Sequence, residues 1–407
     1  MLTDFLLGLR ASWVTEVTLA DRVVPCFTGS FWSQTQRDGH SLHETPYRAC
    51  FKPSLPRFFI NGLTKPGQRV LDPFMGRGTT VLEAALCERK VYGADISPVS
   101  IALAMPRLDV PDRQAIDRWC AEFSVRAVKL RDRKPPPEHA PFFHPHTYAQ
   151  LLKLREEMHV TNSFPKRWRS DCPLRFARMA LLTRLHGHSV GFCSVRSMPP
   201  NIGIAADRQR VLNKRAKVNP LHARNSRDVG AIIRSKVKSL LRDFTHDDAR
   251  RIEKADASIH QAPASGVADR VKHDVSLVVT SPPFLDTTNY EHDHELRRWF
   301  LRCGGSSVPS FSSIPEWRDA MTQALRSIAQ CLKRNGVIAW EVGEVRKGSI
   351  DLEHASAEAA KAAGLVPRAL LLHEARFTKT AHAALGVENN TAGTNTQRVL
   401  LLTKEKP

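Results

Sequence analysis

The chain has 407 residues, 42% of them hydrophobic, with 60 lysines and arginines against 41 acids and a formal charge of +19. At roughly 150 residues per domain that length allows two or three domains, and the apolar content suffices for buried cores, which excludes a chain that is mainly disordered. The sequence holds no apolar run of roughly 18 residues, and its start carries the early acid Asp4 and no basic n-region; a spanning helix and a secretory leader are not expected, and the protein is expected in the cytoplasm.

The first informative elements lie between residues 69 and 95. Arg69-Val70-Leu71 reads as an apolar strand running into Asp72-Pro73-Phe74-Met75-Gly76-Arg77-Gly78-Thr79-Thr80, after which Val81 to Ala85 begins a helix. A glycine turn between strand and helix lets backbone approach a ligand closely. The third glycine of the dinucleotide fingerprint is absent and no Gly-Lys-Ser/Thr follows, so neither a dinucleotide nor a nucleoside triphosphate is indicated. The next strand, Lys90 to Ala94, ends in Asp95, seventeen residues beyond Gly78, where an acid accepts hydrogen bonds from ribose hydroxyls.

From about 106 to 270 the pattern changes to a basic, largely helical insertion, opened by Pro135-Pro136-Pro137. Between Lys166 and Arg242 there are 18 basic residues and three acids, a net +15 in 77 residues. Such a patch suits a polyanion, because each cation that neutralises a phosphate releases condensed counterions. Val229, Ile232, Ile233, Val237, Leu240, Leu241 and Phe244 recur at helical spacing, so Arg234, Lys236, Lys238 and Arg242 between them are either solvated surface or phosphate contacts. The stretch from Pro199 to Asn225, with Arg208, Arg210, Lys214, Arg215 and Lys217, has weaker periodicity and predicts a working loop or arm. Lys166, Arg167 and Arg169 flank Trp168 and complete the candidate nucleic-acid contacts.

After 270 the alternation returns. The buried strand Leu277 to Thr280 ends in Ser281-Pro282-Pro283-Phe284, and two prolines at a strand's carboxyl end fix a rigid loop where α/β enzymes place ligands. An exocyclic amine on a heteroaromatic ring is a poor nucleophile, since its lone pair is delocalised into the ring. Acceptors for its protons, such as Ser281 Oγ and the Pro282 carbonyl, favour attack on an electrophilic methyl, and Phe284 offers a face for a base turned out of its helix. Gly336 to Trp340, Ala369 to Leu372 and Arg398 to Leu402 read as further buried strands, separated by helices over Trp317 to Leu332 and Leu352 to Ala363. Glu341 and Glu344 follow at the same rim, bordering either the ligand or solvent. The expected architecture is an α/β sheet with helices on both faces, interrupted by the insertion: residues 1–105, 106–270 and 271–407. The eight cysteines contain no Cys-x-x-Cys pair, and His144-Pro-His146 and His186-Gly-His188 lack partners at suitable spacing, so no metal site is expected.

Asp72 to Thr80 closely resembles the S-adenosylmethionine loop of the amino-directed DNA methyltransferases, and Gly93-Ala94-Asp95-Ile96-Ser97 is similar to the acidic strand end that holds the adenosyl ribose. The resemblance implies a Rossmann-like methyltransferase sheet. It puts Asp72, Gly76 and Gly78 around the methionine part, Thr79 and Thr80 at the helix start and Asp95 at the ribose, with Pro73, Phe74 and Ile96 also among the cofactor-binding residues. His43-Glu44-Thr45-Pro46-Tyr47 and Phe51-Lys52-Pro53 resemble the preceding motif that closes over the cofactor, which adds Tyr47, Phe51 and Pro53. Ser281, Pro282, Pro283 and Phe284 resemble the catalytic signature of the same family, whose serine version is more typical of cytosine-N4 than of adenine-N6 enzymes. The order, with the cofactor motif first and the basic segment between, resembles the class whose target-recognition region is inserted. Pro25-Cys26 resembles the nucleophile of carbon-5 cytosine methyltransferases but precedes the cofactor loop and lacks a downstream Glu-Asn-Val. The implied activity is methylation of cytosine N4 in double-stranded DNA by a bacterial or phage-encoded enzyme. A cognate restriction endonuclease is an open partner; adenine N6 methylation, RNA base methylation and a silent DNA-binding protein are the alternatives.

Overall fold

The computed structural model describes residues 1–33, 38–48, 50–158, 172–283, 285, 290–304, 309, 311–343, 352–374 and 396–405. Its centre is a nine-stranded sheet: β1 (Trp13–Leu19), β2 (Arg22–Gly29), β3 (Arg69–Asp72), β4 (Lys90–Asp95), β5 (Ser258–Gln261), β6 (Val275–Thr280), β7 (Leu332–Val342), β8 (Leu365–Glu374) and β9 (Thr396–Lys404). The spatial order is β1-β2-β8-β9-β7-β6-β3-β4-β5. Neighbours run parallel except for the β1–β2 hairpin and for β9, which is antiparallel to both β7 and β8. β3 and β6 are buried at every residue, which is why they appear in the sequence as continuous apolar runs instead of alternating ones.

Alternation shows instead in which core each residue enters. Val70, Leu277, Val279, Val337, Ala339, Leu371 and Val399 join one apolar cluster; Leu71, Val278, Ile338, Trp340, Leu370 and Leu400 join the other, on the opposite face. The first face is covered by helices including Ser54–Leu63, Thr79–Leu86 and Pro98–Ala104, the second by Ile314–Cys331 and Leu352–Ala362. The sheet thus has helices on both faces, as expected.

Helices from the stretch 106–270 extend the first core. Phe123 of Arg113–Ala127, Leu151 of Pro145–Glu157, Phe176 of Cys172–Leu182 and Val237 of Val229–Leu240 share one cluster with the sheet. The same stretch supplies β5, the outer strand beside β4. The N-terminal hairpin, for which the sequence carried no expectation, closes the far edge of the sheet. Cys26 lies in it, buried and paired with Leu370 of β8, and burial raises its thiol pKa; it is a packing residue.

Candidate active site

The parallel part of the sheet reverses its winding between β3 and β6, and ligands of open α/β sheets bind at the strand carboxyl ends at such a point. β3 ends in Asp72, and the chain then turns through Gly76 and Gly78, with φ of +50° and +81°. A side chain at Gly78 would be strained there and would also meet Ala104 Cβ at 2.7 Å, so the turn needs glycine on two counts. Asp95, at the end of β4, holds the turn: one carboxylate oxygen accepts from the Gly76 N–H and the other from the Ser97 N–H, both at 2.8 Å. Burial raises its pKa in spite of these bonds.

The segment before the loop is tied down from beneath. His43 Nε2 is 2.6 Å from Glu83 Oε1, both side chains fully buried, and Arg57 donates to the same carboxylate. The Arg77 guanidinium donates to the carbonyls of His43 and Thr45 at 3.2 and 2.8 Å. Tyr47 is thereby laid over the glycine turn, with its hydroxyl 3.2 Å from Ser100 Oγ.

Across the cleft, Ser281 follows β6. Thr280 Oγ1 donates to Asp72 Oδ1 at 2.6 Å, joining the ends of β6 and β3, and the buried Asp72 carboxyl is pushed up to about 7 by loss of solvation. The Trp317 indole N–H donates to the Pro283 carbonyl at 2.7 Å and pins the Pro-Pro loop. Glu341, on β7, is hydrogen-bonded to Ser281 and Gln397 and is 6% exposed; burial pushes its carboxyl up to about 7.

One cleft, with about 1200 Å³ of empty space including its open mouth, is lined by Tyr47, Phe51, Asp72, Pro73, Phe74, Gly76, Thr79, Asp95, Ile96, Ser281, Pro282 and Pro283. Those expected residues therefore meet, although they come from three distant stretches of chain. Three expected cofactor residues stand behind the wall. Pro53 caps the helix Ser54–Leu63, Gly78 packs on Ala104, and Thr80 Oγ1 donates to the Val279 carbonyl at 3.0 Å; none of the three lines the cleft. Phe284, Glu344, Lys166, Arg167, Trp168 and Arg169 lie outside the described residues. The far wall, with Pro263, Ala264, Phe311 and Met321, was not foreseen, since nothing in those local sequences marks which apolar residues face a ligand.

Two expectations about the basic segment need correction. Arg208, Arg210, Lys214 and Arg215 are not on a loop but on the helix Ala206–Arg215, exposed, with Lys217 just beyond. The helix escaped notice because its buried face is polar: Gln209 bonds to Ser197, Arg196 and Asn213, and Asn213 donates to the Pro141 carbonyl. Lys236 is neither solvated surface nor a phosphate contact. It is 4% exposed, donates to the Glu44 carbonyl, and burial lowers its pKa to about 8. Part of the segment's charge is thus spent inside. Among the described residues no group of three or more His, Cys, Asp or Glu side chains could hold a metal, and no helix is long and apolar enough to cross a membrane.

The donor set fits S-adenosylmethionine: carboxyl groups at Asp72 and Asp95 suit a sulfonium and a ribose, and Ile96, Phe74 and Pro263 give an apolar wall for a base. A sheet of this order with its cleft at the reversal is a Rossmann-like α/β fold. Residues 24–106 match the N6/N4 methylase family, described as DNA methylase. The chain is similar to the type II methyltransferase M.MjaII of Methanocaldococcus jannaschii, 33% identical over 79 residues, which are 19% of this chain and 14% of that protein. It is also similar to the type II methyltransferase M.XycI of Xanthomonas campestris pv. cyanopsidis, 35% identical over 79 residues, 19% of this chain and 25% of that protein. The matched stretch spans a quarter or less of these curated relatives. Among solved structures, TrmN from Thermus thermophilus aligns with 90% of this chain and 52% of its own at 13% identity, with a TM-score of 0.33.

Asp95→Ala is expected to weaken S-adenosylmethionine binding by about tenfold or more, because it removes the charged acceptor that orders the turn and faces the cleft. Calorimetric titration checks this, and unchanged affinity removes Asp95 from the cofactor site.

Proposed function

We propose that the chain is a site-specific DNA methyltransferase that moves the methyl group of S-adenosylmethionine to the exocyclic N4 amine of a cytosine turned out of the duplex. The observation that carries this reading is the position of Ser281, in one cleft with the Asp72 and Asp95 loops and bonded to a buried carboxyl, Glu341. The cofactor supplies an electrophilic methyl on a sulfonium. Ser281 Oγ accepts from the amine and donates to Glu341, so the amine lone pair is drawn out of the ring, and the proton released as the nitrogen–carbon bond forms has a path to the Glu341 carboxylate. Pro282 and Pro283, held by Trp317, keep that acceptor in place. The serine in the signature favours cytosine over adenine, and the basic stretch within 106–270 is assigned to target recognition. A cognate endonuclease belongs to the same proposal as an untested partner.

Methylation of mixed genomic DNA and RNA with labelled S-adenosylmethionine, followed by nucleoside digestion and mass identification, tests it. N4-methyldeoxycytidine is the expected product. N6-methyldeoxyadenosine keeps the enzyme class and corrects the base, label in RNA alone overturns the substrate, and cofactor binding without label in either points to a silent binding protein.

Replacing Arg208 and Lys214 together by glutamate is expected to weaken DNA binding and flatten its salt dependence, since both are exposed on the helix Ala206–Arg215. S-adenosylmethionine affinity should not change. Affinity and salt slope that both stay as in the wild type would make this helix ordinary surface.

A further inference from the structure

Ser281, Glu341, Gln397 and His373 form a polar row on one face of the sheet, across β6, β7, β9 and β8. The register requires it. Glu341 is opposite Val399, Gln397 is two residues away from Val399 on the same strand, and His373 is opposite Gln397. Side chains two apart on a strand share a face, so all of these point into the same core. The Glu341 carboxyl is bonded to Ser281 on one side and to Gln397 on the other.

The row does not end at the catalytic strands. The indole N–H of Trp32, just beyond β2, donates to Gln397 Oε1 at 2.8 Å. Trp32 is 6% exposed and lies flat on the His373 imidazole, with ring centroids 4.3 Å apart and planes 14° from parallel. The Phe31 N–H donates to His373 Nδ1 at 3.0 Å and fixes that ring in turn. An indole N–H can only donate, whereas a carboxamide has one accepting and one donating end. With its oxygen claimed by Trp32, Gln397 must present its NH₂ to Glu341, and a donor there favours the carboxylate.

We propose that Trp32 is a positioning residue for methyl transfer: by deciding which end of the Gln397 amide faces Glu341, it keeps that carboxyl an acceptor for the Ser281 hydroxyl. The proposal rests on the reading of Ser281 and Glu341 as the proton acceptors. It assigns to the segment that follows the N-terminal hairpin, outside both signature motifs in sequence, a part in the chemistry. Among the described residues, the titratable groups on this side of the sheet include Asp72 at the end of β3, occupied with Thr280, Asp95 at the end of β4, bonded to the Gly76 and Ser97 N–H groups, and His373 on β8, kept neutral by burial; the Arg398–Glu353 pair lies on the opposite face, since Arg398 follows Gln397 directly.

Trp32→Phe keeps the ring on His373 and removes only the N–H. Without it the amide is free to turn its oxygen to a protonated Glu341, so the carboxyl should titrate higher. The expected result is a rise of about half to one pH unit in the Glu341 midpoint, read by carbon-13 NMR of protein labelled at glutamate Cδ and assigned with Glu341→Gln. The acid limb of the kcat profile on mixed genomic DNA should move by the same amount, turnover at pH 7 should fall about three- to tenfold, and S-adenosylmethionine affinity should stay within about twofold. A Glu341 midpoint unchanged in Trp32→Phe overturns the proposal. If that variant does not fold, Gln397→Met, which has no amide at all, must raise the midpoint at least as far, and an unchanged midpoint there overturns it equally. Normal methylation by both Ser281→Ala and Glu341→Gln would instead overturn the site reading itself, whatever Trp32→Phe does to the carboxyl.

Discussion

Ser281→Ala is expected to lower turnover by about two orders of magnitude or more while leaving S-adenosylmethionine affinity within about twofold, on the scale of other positioned polar groups at reacting centres. The separation follows from where the parts are built. The cofactor turn hangs from β3 and β4, through the Gly76 and Ser97 bonds to Asp95, and none of these passes through Ser281. The loop's backbone is fixed by its prolines and by the Trp317 bond to the Pro283 carbonyl, both of which survive the substitution. What is lost is one oxygen, the one hydrogen-bonded to Glu341 and proposed as the acceptor of the amine. Single-turnover rates with saturating DNA, beside calorimetric cofactor binding, check this. Near-normal rates would remove Ser281 from the chemistry.

Glu341→Gln should abolish the acid limb of activity and stabilise the protein at neutral and alkaline pH. Burial pushes the Glu341 carboxyl up to about 7, so in the wild type the accepting form grows as pH rises through that value. Turnover should climb over the same range, and the glutamine variant should be slower by about a hundredfold and flat with pH there. For stability the sign is opposite. Between the unfolded glutamate value of 4.5 and the folded value near 7, the native state retains a proton that the unfolded chain has released, so stability falls as pH rises through that window. Glutamine never ionises and escapes this cost. The variant's melting temperature should match the wild type near pH 4 and exceed it increasingly up to about pH 8. A gap that does not change with pH would mean that Glu341 does not titrate in this window.

The pair shows how unevenly the site was legible. Asp72, Gly76, Gly78, Asp95 and Ser281 stand in short local patterns: a strand, a turn that needs positive φ, and a helix, or a strand stopped by two prolines. Local patterns of that kind are written in consecutive residues. Glu341 was visible only as a carboxylate after an apolar strand, with nothing to separate a buried bond to Ser281 from an exposed rim position. Gln397 and Trp32 were not visible at all. The helix Ala206–Arg215 was missed for a related reason, since periodicity detects apolar faces and this one is held by Gln209 and Asn213.

By itself the sequence determined the class of sheet, the cofactor turn, the acid that orders it, the Ser-Pro-Pro loop and the charge excess of the middle stretch. Each depends on covalent neighbours, through backbone sterics, apolar runs or net charge. Tertiary structure alone decided that β9 inserts antiparallel between β7 and β8, that Lys236 spends its charge on Glu44, and that Ser281, Glu341, Gln397 and Trp32 stand in one row. Strand register is the physical reason: a shift of one residue moves every side chain to the other face, and no stretch of sequence shorter than the whole sheet specifies it.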